Sequence, residues 1–294
     1  MSNILDSLDD SCPSYMSAQR HLDNASVALV GVPFDGTSSF RPGSRFGPDA
    51  IRAVSIALET YSPHLDLDLE DLIFADIGNL DVGTGHPEKV AAQAGELCRF
   101  LVSEGITPLL IGGDHSWTPG CIHDLLSLYP DLVVVQIDAH ADLRPSFMGE
   151  PYSHASGMRR ALDQLASTSF LQVGIRSGTK EEWRELRATE RFVSAESSSL
   201  ATRLEGWSER PLYLTFDLDI FDPSVFPGTG VPEPGGIDWR TCEALFDELR
   251  GYNIIAADVV ELSPQLDPTQ ASSILAAKVV RELVLLLAES KGAR

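Results

Sequence analysis

The sequence predicts an α/β fold with a central, mainly parallel sheet covered by helices on both faces, and three observations support it. Short apolar runs rich in Val, Ile and Leu recur along the chain, as strands buried on both faces require. Helical segments alternate with these runs from Val27 onward, which is typical of parallel sheets. No linker or repeat divides the 294 residues, so we expect one large domain over residues 26–294 and an N-terminal arm over residues 1–25.

The predicted elements follow one another in a regular order. Apolar strand runs lie at residues 108–113, 132–137, 212–216 and 254–260. Helices are predicted near residues 48–58, 88–102, 180–188, 239–250 and 271–288. Two stretches rich in Gly and Pro, residues 37–47 and 226–236, lie between elements, so we interpret them as loops at the ligand-binding edge of the sheet rather than as linkers.

Three of the strand runs are followed directly by side chains that bind metals. The sequence DAHAD follows residues 132–137, DHS follows residues 108–113, and DLD follows residues 212–216. The candidate ligands are His115, Asp138, His140, Asp142, Asp217 and Asp219. In an open parallel sheet, ligands bind outside the carboxyl ends of the strands. The sequence therefore predicts a metal site at the C-terminal strand edge.

Each motif alone also has an ordinary structural interpretation. An Asp after a strand is commonly a turn former or a helix N-cap, which applies to Asp217 and Asp219, and a lone His115 beside two glycines is commonly solvated or part of the core. The sequence DAHAD is different, because two carboxylates and a histidine within five residues repel one another unless a cation compensates them. The three motifs together favour metal binding.

The number of candidate ligands indicates two ions. Two His and four Asp exceed the three protein ligands of a catalytic zinc, but they suit two divalent ions with shared carboxylates. Mixed imidazole and carboxylate ligands favour manganese, with zinc, cobalt, nickel or iron as alternatives. Two such ions, roughly 3.5 Å apart, lower the pKa of a shared water towards about 7. The predicted chemistry is metal-assisted hydrolysis with two Mn²⁺ per subunit.

Longer motifs surround these residues and occur in one order along nearly the whole chain. They are residues 31–52 (GVPFDGTSSFRPGSRFGPDAIR), 112–116 (GGDHS), 138–143 (DAHADL), 153–156 (SHAS), 216–236 (FDLDIFDPSVFPGTGVPEPGG) and 258–264 (DVVELSP). Together they resemble the motifs of the ureohydrolases, the arginase and agmatinase family, and look most like those of the agmatinase branch. The resemblance implies a three-layer arginase-like fold, hydrolysis of a guanidino compound to urea and an amine, and a homo-oligomer, as a trimer or a hexamer.

The resemblance also implies a role for each site residue. It assigns one ion to His115, Asp138, Asp142 and Asp217, and the other to Asp138, His140, Asp217 and Asp219. It makes His154 a proton shuttle for the leaving amine and Glu261 the carboxylate that holds the guanidinium. A planar, permanently charged guanidinium suits a carboxylate that accepts paired hydrogen bonds. From its loop alone, His154 has the simpler interpretation of a solvated histidine.

The loop at residues 144–154, RPSFMGEPYSH, bears on the substrate. Arginases carry an Asn/Ser cluster there that holds an α-amino acid, and this loop has no Asn, so arginine is disfavoured. The predicted substrate is agmatine, hydrolysed to putrescine and urea, with Glu150 as a candidate partner for its distal amine. The alternative is guanidinobutyrate or guanidinopropionate, with Arg159 as a candidate partner for the carboxylate. Arg159 lies at a predicted helix start, where a structural role is the simpler interpretation.

Two other classes of protein stay open at this point. One is a metal-binding scaffold without turnover, which occlusion of the pocket by Trp117 would produce. The other is a deacetylase on a related fold, which works with one zinc and a tyrosine. The paired ligands of DAHAD and DLD disfavour the deacetylase, because they suit two ions.

Composition restricts the partners and the compartment. With 22 basic and 43 acidic side chains the net charge is −21, which disfavours binding to nucleic acid. The same charge would attract a small cationic guanidino substrate. The simpler interpretation is that an acidic surface aids solubility. Four cysteines without paired spacing fit a reducing cytoplasm. The first ten residues contain neither basic residues nor an apolar core, so we expect no export signal and no membrane association.

Overall fold

A computed structural model describes residues 4–83, 85–195 and 199–292 as a layered α/β structure. Its strands are β1 (Leu8–Asp9), β2 (Val27–Gly31), β3 (Tyr61–Ser62), β4 (Leu67–Asp68), β5 (Phe74–Leu80), β6 (Thr107–Ile111), β7 (Val133–Ile137), β8 (Phe170–Val173), β9 (Phe192–Val193), β10 (Leu212–Asp217) and β11 (Ile254–Val260). Its helices are α1 (Gly47–Ser55), α2 (Pro87–Ser103), α3 (Thr118–Leu126), α4 (Gly157–Leu162), α5 (Lys180–Thr189), α6 (Ser199–Arg203), α7 (Trp239–Leu249) and α8 (Ala271–Gly292).

Nine of these strands form one sheet, in the order β1-β5-β2-β6-β11-β10-β7-β8-β9. The pairs are parallel except at one edge, where β1 runs antiparallel to β5. The remaining two strands, β3 and β4, form a separate antiparallel hairpin. The four strands β6, β11, β10 and β7 are consecutive neighbours at the centre, so their carboxyl ends lie side by side.

The sheet has a hydrophobic core on each face, which confirms the predicted α/β/α layering. Every residue of β2, β6, β7, β10 and β11 is buried, as continuous apolar runs require. Residues of α1, α6, α7 and α8 pack in the core on one face, and residues of α2 to α5 pack in the core on the other. In the part of the chain that the structure describes, no helix is long and apolar enough to cross a membrane.

The helices predicted from sequence are confirmed, and their ends have local causes. Proline in the first turn begins α1 and α2, because the missing N–H is not needed there. A capping box formed by Thr179 and Glu182 begins α5, and the Asp238 side chain accepts the Thr241 N–H at the start of α7. The helix start predicted at Arg159 corresponds to α4, whereas α3 and α6 were not predicted. The five residues of α6 are too few to show an apolar period.

The predicted N-terminal arm lies against the sheet. Its strand β1 extends the sheet edge by pairing with β5. Tyr15 is buried, and its hydroxyl donates to the Ala277 carbonyl of α8 at 2.7 Å, while its backbone N–H donates to Asp76. The arm therefore contributes to the core, and the division at residue 25 stays a prediction.

Candidate metal centre and substrate cavity

Four of the predicted ligands surround one point beyond the central strands. The Nδ1 atom of His115 lies 3.1 Å from an Asp138 oxygen, 3.3 Å from an Asp142 oxygen and 3.3 Å from an Asp217 oxygen. All four side chains are buried. The ligand atoms of His115, Asp138 and Asp142 are close enough together to hold a single metal ion.

A second group lies beside the first and shares Asp138 with it. The Nδ1 atom of His140 lies 2.8 Å from Asp219 Oδ2 and 3.8 Å from Asp138 Oδ1. The ligand atoms of Asp138, His140 and Asp219 also suit one ion. Because one Asp138 oxygen faces His115 and the other faces His140, this carboxylate is placed to bridge two ions.

Strand register brings these side chains to one level. Ile137 of β7 pairs with Phe216 of β10, so the next residues, Asp138 and Asp217, lie side by side at the carboxyl ends of these strands. Asp217 in turn pairs with Val260 of β11, which places Glu261 one residue further along the neighbouring strand. The ligands are therefore positioned by the hydrogen-bonded core of the sheet.

Two of the predicted site residues have left-handed backbone conformations. Asp142 has φ 53° and Glu261 has φ 70°, a region that non-glycine residues seldom occupy and that costs on the order of 1 kcal/mol or more. Hydrogen bonds hold both: the Asp142 carbonyl accepts the Arg159 N–H, and the Glu261 N–H donates to the Gly113 carbonyl. Such strain at two site residues is consistent with a functional constraint on their geometry.

A buried polar network orients His115 from below. Its Nε2 atom lies 2.7 Å from the Thr215 hydroxyl, which donates to Asp258 Oδ1 at 2.7 Å. The other Asp258 oxygen accepts the hydroxyls of Tyr213 and Thr118. Since the single Thr215 proton goes to Asp258, Thr215 accepts from His115 Nε2–H, and the lone pair of Nδ1 then faces the carboxylates. This is the arrangement by which an outer carboxylate fixes a metal-binding histidine.

A similar network holds the Asp138 carboxylate. Gln136 donates from Nε2 to Asp138 Oδ2 at 2.7 Å, and Gln172 donates to Gln136 Oε1 at 2.7 Å. Sequence reasoning missed Gln136, Thr215 and Asp258. The signal for each was a single polar residue inside an otherwise apolar strand, as in VVVQI, LYLTF and IIAADVV.

The charges of the site fit two divalent cations. Burial, together with Asp142 and Asp219, raises the pKa of Asp138 to about 7, and burial with Asp219 and Asp138 also raises the pKa of Asp217. Burial alone would lower the pKa of His115, but the facing carboxylates outweigh it and raise that pKa. The Nδ1 atom of His115 and the Nε2 atom of His140 are buried without a hydrogen-bond partner. Ions between these groups would replace the missing positive charge, so this is a candidate binuclear metal site.

A cavity of about 200 Å³ opens above the two groups. His140, Asp142, Asp217 and Asp219 form its floor, and Glu261 belongs to its lining. We use the name mouth for four lining residues that are exposed or half-buried: Ser39, Arg144, Phe147 and His154. The floor is anionic and the volume suits a molecule smaller than a typical drug, so a small cation fits.

The two predicted catalytic residues line this cavity. The backbone N–H of His115 donates to Glu261 Oε1 at 2.9 Å, which ties the Glu261 carboxylate to the first ligand group. Burial, with Asp114 and Asp219, raises the pKa of Glu261. His154 contacts the hydroxyl of Thr37 through Nδ1 and that of Ser39 through Nε2, each at 3.2 Å.

The structure does not bring the two candidate tail-binding residues into the cavity lining. Glu150 turns back and accepts the Tyr152 N–H at 2.8 Å. Arg159 is occupied by an ion pair with Glu185 and donates from Nε to the Leu143 carbonyl. Arg144 and Phe147 line the cavity instead, with the Arg144 guanidinium 4.6 Å from the centre of the Phe147 ring.

Trp117 does not occlude the pocket. It is fully buried in the core, it donates from Nε1 to the Gly112 carbonyl at 3.2 Å, and it is absent from the cavity lining. The interpretation as a metal-binding scaffold without turnover depended on occlusion of the pocket by Trp117, and the structure does not show this occlusion.

The chain is similar to known proteins over most of its length. The family model described as the arginase family matches residues 25–286. The agmatinase of Bacillus subtilis is 36% identical over 275 residues, covering 92% of this chain and 95% of that protein. The N(1)-aminopropylagmatine ureohydrolase of Thermococcus kodakarensis is 38% identical over 267 residues, covering 88% of this chain and 89% of that protein. The crystal structure of the agmatine ureohydrolase of Thermoplasma volcanium has a TM-score of 0.85 at 32% identity and covers 96% of each chain.

Proposed function

The chain belongs to the arginase family, and we propose that it hydrolyses agmatine to putrescine and urea. It is a hydrolase that acts on the C–N bonds of linear amidines. The observation that carries the proposal is that Glu261 lines one cavity with residues of both ligand groups, so a carboxylate able to hold a guanidinium lies beside a candidate binuclear metal site.

The metal assignment extends the two observed groups. We assign one ion to His115, Asp138, Asp142 and Asp217, and the other to Asp138, His140, Asp217 and Asp219. Two divalent ions, when bound, supply a water of lowered pKa as the nucleophile. The mixture of imidazole and carboxylate ligands supports Mn²⁺ as the native metal.

Glu261 binds and orients the guanidinium in this proposal. Its carboxylate is buried, and its Oε1 atom is fixed by the His115 N–H, so the group keeps one orientation in the cavity. A guanidinium presents N–H donors in a planar fork, which a fixed carboxylate can accept in pairs. The reacting carbon then lies over the floor of the cavity.

His154 supplies the proton that the leaving amine needs. It lies at the mouth of the cavity, half-buried, where a leaving nitrogen with its carbon tail would pass. An imidazole exchanges protons near neutral pH and can protonate the amine as the C–N bond breaks.

The distal end of the substrate is less constrained than the guanidino end. The similarity to the agmatinase of Bacillus subtilis and the anionic floor support agmatine. Arg144 is the specific observation that favours a guanidino acid as the second candidate, because its guanidinium lines the mouth, where a carboxylate tail would lie.

Urea release from a panel of substrates tests the proposal. Manganese-loaded protein is assayed with agmatine, N(1)-aminopropylagmatine, guanidinobutyrate, guanidinopropionate and arginine. Agmatine is expected to give the highest kcat/KM. Glu261→Gln tests the carboxylate itself. The glutamine oxygen can still accept the His115 N–H, so the variant should retain its metal content, while kcat/KM should fall about 100-fold or more. A higher kcat/KM for a guanidino acid would make that acid the substrate in place of agmatine. Absence of urea release from every substrate would refute the proposal.

Compartment and assembly belong to the same proposal. We propose a cytoplasmic homo-oligomer whose catalytic domain spans residues 26–294. All four cysteines lie in the described segments and are free, which fits a reducing compartment.

A further inference from the structure

Thr37 joins His154 to a buried carboxylate that the proposed reaction does not otherwise use. Its hydroxyl lies 2.8 Å from Asp114 Oδ2 and 3.2 Å from His154 Nδ1, and it accepts the His154 backbone N–H at 2.9 Å. The Thr37 backbone N–H also donates to Asp114 Oδ2, at 2.9 Å. Asp114 is fully buried, whereas His154 is half-buried at the mouth. The contact therefore connects the mouth of the cavity to a buried carboxylate just beyond the end of β6.

The hydrogen bonds determine which nitrogen of His154 carries the proton. A hydroxyl has one hydrogen, and Asp114 is an acceptor, so the Thr37 hydrogen points to Asp114. The Thr37 oxygen then accepts from both the backbone N–H and the imidazole of His154. His154 Nδ1 must carry a hydrogen to make this contact, which leaves the lone pair of neutral His154 on Nε2.

The other contacts of His154 are consistent with this orientation. Its Nε2 atom lies 3.2 Å from the hydroxyl of Ser39, which lines the cavity and can donate to it. The Phe147 ring packs edge to face against the imidazole, with ring centres 5.9 Å apart. Two hydroxyls and one aromatic ring therefore limit rotation of the imidazole.

We propose that Thr37, anchored by Asp114, is a positioning residue that holds His154 as the Nδ1–H tautomer with Nε2 as its proton-exchanging atom. The inference rests on the proposed role of His154 in the hydrolysis. In that reaction Nε2 accepts a proton released by the attacking water and passes it to the leaving nitrogen as the C–N bond breaks, so the imidazole ends as it began. Without Thr37 the ring populates the other tautomer and other rotamers, and fewer molecules present the correct atom.

Thr37→Val and Thr37→Ser form a matched pair for the test. Valine replaces the hydroxyl with a methyl group of similar size and retains the backbone N–H that bonds to Asp114, while serine keeps the hydroxyl. With the best substrate of the panel, Thr37→Val is expected to lower kcat about 10- to 100-fold with KM nearly unchanged, and Thr37→Ser is expected to restore most of kcat. An unchanged kcat in Thr37→Val would overturn the proposal, as would a serine variant as impaired as the valine variant.

Histidine NMR of the metal-free, full-length protein provides a readout that is independent of activity. The His154 signal is identified from its loss in His154→Gln, and its ring ¹⁵N and ¹³C shifts distinguish the tautomers. The expected result is Nδ1–H in the wild type and a mixture in Thr37→Val. An Nε2–H ring in the wild type would overturn the proposal. If no substrate yields urea, the proposed function fails, but the NMR result still decides the tautomer.

Discussion

The metal centre and the mouth of the same cavity are built in different ways. The candidate ligands of the metal centre follow three adjacent or nearly adjacent strands, and all but His140 are buried. The mouth residues Ser39, Arg144 and Phe147 lie on loops, His154 begins a three-residue 3-10 helix, and all four are half-buried or exposed. Ligand geometry is therefore set by strand register, whereas the mouth is held by side-chain contacts between loops. The comparison suggests that the reaction is fixed by the sheet and that substrate choice is adjustable in the loops.

Hydrogen bonds between two loops stabilise the edge of the cavity. Arg41, in the loop of residues 37–47, donates to the carbonyls of Thr229 and Gly230 in the loop of residues 226–236. Thr229 in turn bridges to Leu262, the residue after Glu261. These contacts connect the loops of residues 37–47 and 226–236 to the end of β11, while the mouth residue Ser39 stays exposed.

The largest expected effect is loss of the ligand shared by both groups. Asp138→Ala removes the carboxylate between His115 and His140, so both ions should be lost or bound weakly. We expect activity to fall on the order of 1,000-fold or more, with the fold retained, because removing one of several mutually repelling buried carboxylates does not open the core. Urea release, metal content and circular dichroism measure the three quantities, and Asp217→Ala should behave in the same way.

Asp163→Ala is a suitable control for these variants. Asp163 is an exposed carboxylate at the end of α4 that pairs with Arg160 and is absent from the cavity lining. It should retain metal content and activity. Full activity in Asp138→Ala or Asp217→Ala would contradict the two-ion site.

A smaller effect is expected one layer below the ligands. Thr215→Val removes the hydroxyl between His115 and Asp258, so His115 loses its fixed orientation. Affinity for Mn²⁺ should fall about 10- to 100-fold, as for other groups that orient metal ligands. Two buried polar atoms also lose their partner, which costs roughly 1–3 kcal/mol of the free energy of unfolding.

Titration of the metal-free protein with Mn²⁺ and unfolding in urea measure these two losses. Thr215→Ser, which keeps the hydroxyl, should resemble the wild type in both. Equal Mn²⁺ affinity in Thr215→Val and the wild type would show that the sheet alone fixes His115.

The same contrast explains what the sequence could predict. The ligands were predictable because DAHAD, DHS and DLD follow apolar strands directly, and parallel strands align their carboxyl ends. The roles of Glu150 and Arg159 were guesses from the loop sequence, and the structure places both side chains on protein partners outside the cavity lining. Periodicity does not reveal which loop side chain turns inward, since that depends on contacts with residues distant in sequence, such as the pairing of Arg159 with Glu185.

The smallest expected effects separate Arg159 from Arg144, and they test whether substrate choice lies in the mouth. Arg159→Gln breaks a partly exposed ion pair with Glu185, so it should cost roughly 1 kcal/mol of stability and leave the ratio of kcat/KM for agmatine and guanidinobutyrate unchanged. Arg144→Gln removes a cation from the cavity lining that would repel the distal amine of agmatine. The ratio of kcat/KM for agmatine to that for guanidinobutyrate should therefore rise roughly a few-fold. Glu150→Gln should change neither quantity. All three residues lie in or beside one loop, so the comparison between them is direct. A kcat/KM ratio that responds to Arg159→Gln but not to Arg144→Gln would mean that substrate selectivity is set outside the observed cavity lining. The inference that the mouth determines substrate choice would then be wrong.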